Sequence, residues 1–184
     1  MEYLTSDLHI SHANIIKYDQ RPFKDIEEHD NILISNWNSV VNPDDTIYVI
    51  GDFMMGHNFK ERLPLMCKRL MGKIVLIRGN HDRKPQLYLD AGFEEVHDKL
   101  EKRLETGELV LMQHHPPTVW LPEYDKLDYL LHGHVHLRWK NRGKAINVGT
   151  CMWDYAPKTL AQLVAGLPVD STLKPYCINE EEIH

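Results

Sequence analysis

The stretch LLHGHVHLRW, residues 130–139, places His132, His134 and His136 at alternate positions around a glycine, directly after an apolar run. In an extended chain the three imidazoles share one face, and imidazole is the side chain most often found on a divalent metal ion. A His-rich strand at a sheet edge would carry the same letters, so this stretch alone leaves both readings open. Four further clusters change the balance. SDLH (6–9), IGDF (50–53), RGNHD (78–82) and MQHHP (112–116) each put Asp, Asn or His just past an apolar run. Any one of them is weak, since Gly-Asp and Gly-Asn favour turns in many proteins. Together and in this order they are specific, because loops beyond the carboxyl ends of strands in α/β proteins converge on one site.

Those loops need strands behind them. EYLTSD, TIYVIGD and KIVLIRGNHD read as buried strands running into polar loops. Residues 26–41 space Ile26, Ile32, Leu33, Trp37, Val40 and Val41 mostly at helical intervals and stop just before Pro43. Residues 60–70 and 84–91 also read as helices, the second short. KLEKRLETGELVLMQHH alternates on either side of Thr106-Gly107, as a hairpin does. DYLLHGH and KAINVGT are further strands, and Leu160–Ala165 is a last helix. The order predicts an α/β sandwich of mixed sheets flanked by helices.

The length of 184 residues suits one domain spanning 1–184, with a polar to acidic tail after about residue 168 lying at the periphery. A hydrophobic fraction of 42% and a charged fraction of 26% are ordinary for a water-soluble chain. There is neither an apolar run of membrane-spanning length nor a signal-peptide pattern at MEYLTSDLH. Cys67, Cys151 and Cys177 are widely spaced and odd in number, which suits a reducing cytoplasm better than a disulfide framework. A net charge of -6 argues against gripping extended duplex nucleic acid.

The five clusters resemble the ordered motifs of the calcineurin-like metallophosphoesterase superfamily: DxH, GD, GNH[DE], H and GHxH. All are intact between Asp7 and His136, and INVG (146–149) also fits. The size is similar to that of compact prokaryotic and phage-type members without an added cap. The resemblance implies a four-layer α/β/β/α sandwich with a dinuclear metal centre on one edge. It implies Asp7, His9, Asp52 and His136 around the first ion, and Asp52, Asn80, His114 and His134 around the second. Asp52 would bridge, one carboxylate oxygen to each ion. The His-x-Pro pattern selects His114 over His115. His81 takes the substrate-facing acid role, while Asp82 either orients its imidazole or anchors the loop. His12, His29, His57, His97, His132 and His184 fall outside the motifs and are assigned to the surface or to packing.

The implied chemistry is hydrolysis of a phosphoester by in-line attack of a metal-bridging hydroxide, with no covalent intermediate. The N/O ligand set admits Mn²⁺, Fe²⁺, Zn²⁺ or Ni²⁺, and the resemblance implies Mn²⁺. No insertion between motifs is long enough for a lid, so phosphodiesters, nucleotide-like or otherwise small, are the expected substrates in preference to monoesters. A nuclease on single strands is the alternative, given Arg78, Arg83, Lys84, Arg138, Lys140, Arg142 and Lys144 near the motif loops. A non-catalytic scaffold would be expected to lack a ligand or the histidine of GNHD, and neither is missing.

Overall fold

The computed structural model describes residues 1–167; His184, Cys177 and the acidic tail lie outside them. The first sheet contains β1 (Glu2–Thr5), β2 (Thr46–Val49), β3 (Lys73–Ile77) and β4 (Glu95–His97), in that order and all parallel. The second contains β5 (Lys99–Arg103), β6 (Leu109–Gln113), β7 (Tyr129–His132), β8 (Asn141–Arg142) and β9 (Ala145–Asn147), in the order β5-β6-β7-β9-β8. Here β5 and β6 form the expected antiparallel hairpin, while β6, β7 and β9 run parallel. The helices are α1 (Ala13–Tyr18), α2 (Ile26–Val40), α3 (Phe59–Cys67), α4 (Pro85–Ala91) and α5 (Leu160–Ala165).

Side-chain alternation along the strands builds the layers. Tyr3, Ile47, Val49, Ile74 and Leu76 face outward and pack with Leu33, Ile34 and Trp37 of α2, Leu63 of α3 and Tyr88 of α4. Their neighbours Leu4, Tyr48, Val75 and Ile77 face inward and meet Val110, Met112, Leu131 and Ile146 of the second sheet. On the far side Leu111, Leu130 and Ala145 are covered by Tyr124 and Leu127. That outermost layer is thin, a segment with one 3₁₀ turn at Pro122–Tyr124. α2 starts where Asp25 accepts the Glu28 backbone N–H at 2.8 Å.

Three elements exceed what periodicity foretells. α1, β4 and β8 span too few residues for a repeat to show, yet α1 proves to be a wall of the site. The 130–139 stretch also departs from its expected extended form. The chain leaves β7 at His132, and the Val135 N–H turns back to the Gly133 carbonyl at 2.8 Å. His134 and His136 then take left-handed backbone angles, φ 69° and 46°. The three histidines therefore do not share a strand face. His132 is fully buried with its ring 4.6 Å from that of Trp139, which is a packing role.

Candidate metal centre

The carboxyl ends of β1, β2, β3, β6 and β7 bring Asp7, His9, Asp52, Asn80, His114, His134 and His136 to one edge of the sandwich. Asp7 lies under the turn after β7, its carboxylate accepting the His134 backbone N–H at 3.1 Å and the Ser6 hydroxyl at 2.7 Å. That approach requires Gly133: a Cβ there would sit 1.9 Å from Ser6 Oγ and 2.4 Å from Asp7 Oδ2. Gly51 is constrained likewise, since a Cβ would overlap the His114 ring at 2.1 Å. Asp7, His9, Asp52, His134 and His136 all adopt positive φ, so the backbone itself is bent to aim these groups.

Asp52 is the hub. Its Oδ1 accepts the His81 backbone N–H at 3.0 Å, leaving Oδ2 to face the histidines. His9 Nε2 and His114 Nε2 each lie 3.5 Å from that oxygen. Oδ1 thus carries the GNHD loop, and Oδ2 is the oxygen shared by the two imidazoles. His136 Nε2 stands 3.6 Å from Asp7 Oδ1, and Asn80 Oδ1 lies 3.1 Å from His114 Nε2 and 3.0 Å from His134 Nδ1. His115 is exposed, its ring centroid 4.1 Å from that of His134 and tilted by 47° to it.

These residues fit divalent cations. His9 Nε2 is buried without a hydrogen-bond partner among the described residues, an orphan that a ligand role explains. Two ligands each about 2.1 Å from a common ion lie roughly 3–3.5 Å apart, close to the separations around Asp52 and Asp7. Ligand atoms of Asp7, His9 and His136, and of Asp7, Asp52 and His114, fall within 4.8 Å of one another. A third group adds Cys151 to Asp19 and His136, but burial pushes that thiol up to about 12, so it is no thiolate.

Partners behind the ligands fix their orientation. His114 Nδ1 donates to the Ile50 carbonyl at 2.8 Å, so Nε2 is the nitrogen turned to the centre. His136 Nδ1 bonds Asp19 at 2.7 Å. Asp19 is in turn held by buried Arg21, whose guanidinium also donates to the Asp7 and Leu8 carbonyls at 2.8 and 3.1 Å. Arg21 meets His29 at 2.8 Å, and His29 meets Asp30, which receives the Ser11 N–H. Asp82 anchors the loop. Its two oxygens accept the backbone N–H groups of Asp52, Phe53 and Gly79 and the Tyr88 hydroxyl, with no bond to the His81 ring. Burial raises its pKa, while the backbone and Tyr88 donors around it act in the opposite direction.

Charge is arranged to match. Burial drops the His9 pKa to about 2 and the His134 pKa to about 4, leaving both rings neutral with a lone pair to offer. His114 is opposite: burial pulls down, but the Asp52 carboxylate overrides it and lifts the value to about 9. Asp52 is held below the usual carboxylate range, burial being outweighed by His114 and His9.

Residues 3–138 match the calcineurin-like phosphoesterase family. The chain belongs to that family. As a calcineurin-like phosphoesterase it is a metal-dependent phosphohydrolase with two sheets flanked by helices. It is similar to an uncharacterised protein of Methanocaldococcus jannaschii, 34% identical over a 169-residue alignment that covers 88% of each chain. A solved protein of unknown function from Aquifex aeolicus superposes with TM-score 0.71 at 28% identity, covering 91% of this chain and 99% of that one. An archaeal phosphodiesterase superposes with TM-score 0.52 at 18% identity, covering 83% and 86%, a likeness of fold.

The phosphoesterase cleft has a volume of about 790 Å³. His9, His81, His134 and His136 line its floor, and α1 and the loop after β7 line its walls. His12 also faces it, its Nδ1 3.3 Å from that of His9; the assignment of His12 to surface or packing is corrected, because α1 turns the segment after DLH back over the site. Asp19 and Arg21 were not foreseen. An Asp-Gln-Arg triplet before a proline reads as a solvated loop, and nothing in its spacing points to metal. His57 is exposed, and His97 pairs with Glu95 on the edge strand β4. Among the described residues no helix is long and apolar enough to cross a membrane.

Proposed function

We propose that this phosphohydrolase cleaves small phosphodiesters with two divalent ions, one held by Asp7, His9, Asp52 and His136, the other by Asp52, Asn80, His114 and His134. The observation that carries the reading is Asp52 Oδ2, faced at 3.5 Å by an imidazole from each set. A shared anion between two dications relieves their repulsion. Ions bound there would activate water and neutralise charge on the phosphoryl oxygens. The protein's own part is orientation and proton supply. Ile50 and Asp19 set the His114 and His136 rings, and Asp82 holds the GNHD loop against Asp52. That loop leaves the His81 ring exposed to the cleft, placed to give a proton to the leaving-group oxygen.

The small-substrate reading is supported by where the basic residues go. Arg78 pairs with Asp98, Arg83 lies over Phe59, Lys140 over Trp153, and Lys144 bonds the Leu127 carbonyl. Of the seven basic residues near the motif loops, Arg138 is the one that lines the cleft. Such a surface favours a compact ester over a polyanion. Mn²⁺ is the proposed ion for this N/O set, and the cytoplasm, where Cys67 and Cys151 stay reduced, the proposed compartment. The test is hydrolysis of bis-(p-nitrophenyl) phosphate against p-nitrophenyl phosphate by stripped protein reloaded with Mn²⁺, Fe²⁺, Zn²⁺ or Ni²⁺. The diester should be preferred, and Mn²⁺ should support the highest rate. A clear preference for the monoester refutes the substrate assignment, and efficient cleavage of long single strands favours a nuclease.

A further inference from the structure

We infer that the apolar wall beside the metal centre seats the nucleobase of a small phosphodiester, with Tyr18 and Leu137 as specificity-determining residues, a step that rests on the diesterase reading above. A phosphoryl group needs charge and hydrogen bonds, and the histidine floor supplies its surroundings. The same cleft nevertheless continues over Ile15 and Tyr18 from α1, and over Met55, Val135 and Leu137. An anion gains nothing from such a surface. The part of the substrate beyond the phosphate does.

Exposure identifies which side chains do this. Tyr18 is 71% and Leu137 50% exposed, and among the described residues they are the two large exposed apolar side chains that line this cleft. Leaving both in water at the mouth of a site is unfavourable unless something covers them. Their occupant is defined by continuity with the reaction centre. The rings run from Tyr18 to His12 at 6.2 Å, and from His12 to His9 at 5.2 Å and His81 at 6.4 Å. A phosphate on the histidine floor therefore directs one ester substituent along a path edged by rings. A flat ring stacks on Tyr18 and meets branched aliphatic carbon from the loop after β7, in the manner by which proteins hold bases without reading their edges. A volume of about 790 Å³ also suits a mononucleotide-sized ligand rather than phosphate alone.

The experiment compares three diesters with one leaving group, thymidine 5′-(p-nitrophenyl) phosphate, methyl p-nitrophenyl phosphate and hexyl p-nitrophenyl phosphate, on Mn²⁺-loaded protein. The thymidyl ester should exceed the methyl ester in kcat/KM by on the order of ten- to a hundred-fold, mostly through KM. Tyr18→Ala should collapse that ratio, Leu137→Ala should reduce it, and Tyr18→Phe should retain it. A wild-type ratio near one, a ratio unchanged in Tyr18→Ala, or preference for the hexyl ester overturns the inference. If no diester is cleaved, the diesterase reading fails, and calorimetric binding decides the wall separately. Thymidine 5′-monophosphate should then bind more tightly than inorganic phosphate, with the advantage lost in Tyr18→Ala. Equal binding of the two overturns the inference.

Discussion

Replacing Arg21 with Met removes a buried cation behind the site while keeping side-chain length and apolar packing. The Arg21 side chain is wholly buried, and its guanidinium satisfies Asp19 twice and the Asp7 and Leu8 carbonyls once each. Deleting it leaves a nearly buried carboxylate with His136 as its remaining partner and strands two backbone acceptors. Breaking a buried pair by removing one partner costs about 3–5 kcal/mol, or a fall in Tm of roughly 6–20 °C for a domain of this size. The damage should also reach the metals, because Asp19 sets His136 and the Asp7 backbone carries a proposed ligand. Loss of such a supporting partner weakens metal binding by about 10–100-fold. Thermal unfolding of the stripped protein gives the first quantity and a competition titration with a chelating dye the second. Asp19→Asn, which keeps the shape, should reproduce the metal defect with a smaller loss of stability. A Met variant that melts within a degree or two of wild type and holds metal normally refutes the reasoning.

His81→Ala should keep its metals and its melting temperature while turnover falls about 10²–10⁴-fold; the loss should shrink for p-nitrophenolate leaving groups, and equal loss for good and poor leaving groups would speak against an acid. Asp52→Asn should lower metal content at both positions after dialysis, and two tightly held ions per chain would contradict the shared ligand. Metal affinity should rise with pH up to about 9, because the proton that His114 holds there competes with an ion for Nε2. For that one proton the gain is up to about tenfold per pH unit. The sign for stability is opposite: a pKa lifted from 6.5 to about 9 stabilises the stripped protein fully below 6.5, and that contribution is lost as pH rises through 9. Metal titrations and melts across this range check both. Gly133→Ala should disrupt metal binding far more than a surface Gly→Ala, since its Cβ would lie 1.9 Å from Ser6 Oγ.

Most of the strands and the residue types at the site were legible because buried parallel strands write themselves as short apolar runs, and the polar residues just past each run stand at a sheet end. Asp7, Asp52 and His114 could be placed on one edge by that logic. Arg21 could not, since its position depends on α1 folding back, and six residues are too few to display a helical repeat. His12 escaped for the same reason. The alternation of His132, His134 and His136 misled in geometry because Gly133 ends the strand, a change of direction that period-two spacing cannot register. The choice of His114 over His115 was legible in the His-x-Pro pattern, while the ring's orientation was not, since it depends on the Ile50 carbonyl just past β2.

The left-handed backbone at Asp7, His9, Asp52, His134 and His136 has a consequence for transplantation. Each such conformation costs on the order of 1 kcal/mol or more, and several together approach the net stability of an ordinary domain, about 5–15 kcal/mol. The cost is met by the sandwich that clamps both ends of every loop. A designer who grafts these side chains onto ideal strands and helices, preserving each rotamer, would obtain the right letters on relaxed loops that point them apart. The portable unit is therefore the pair of sheets with their bent carboxyl ends, and a minimal scaffold would have to retain β1, β2, β3, β6 and β7 entire.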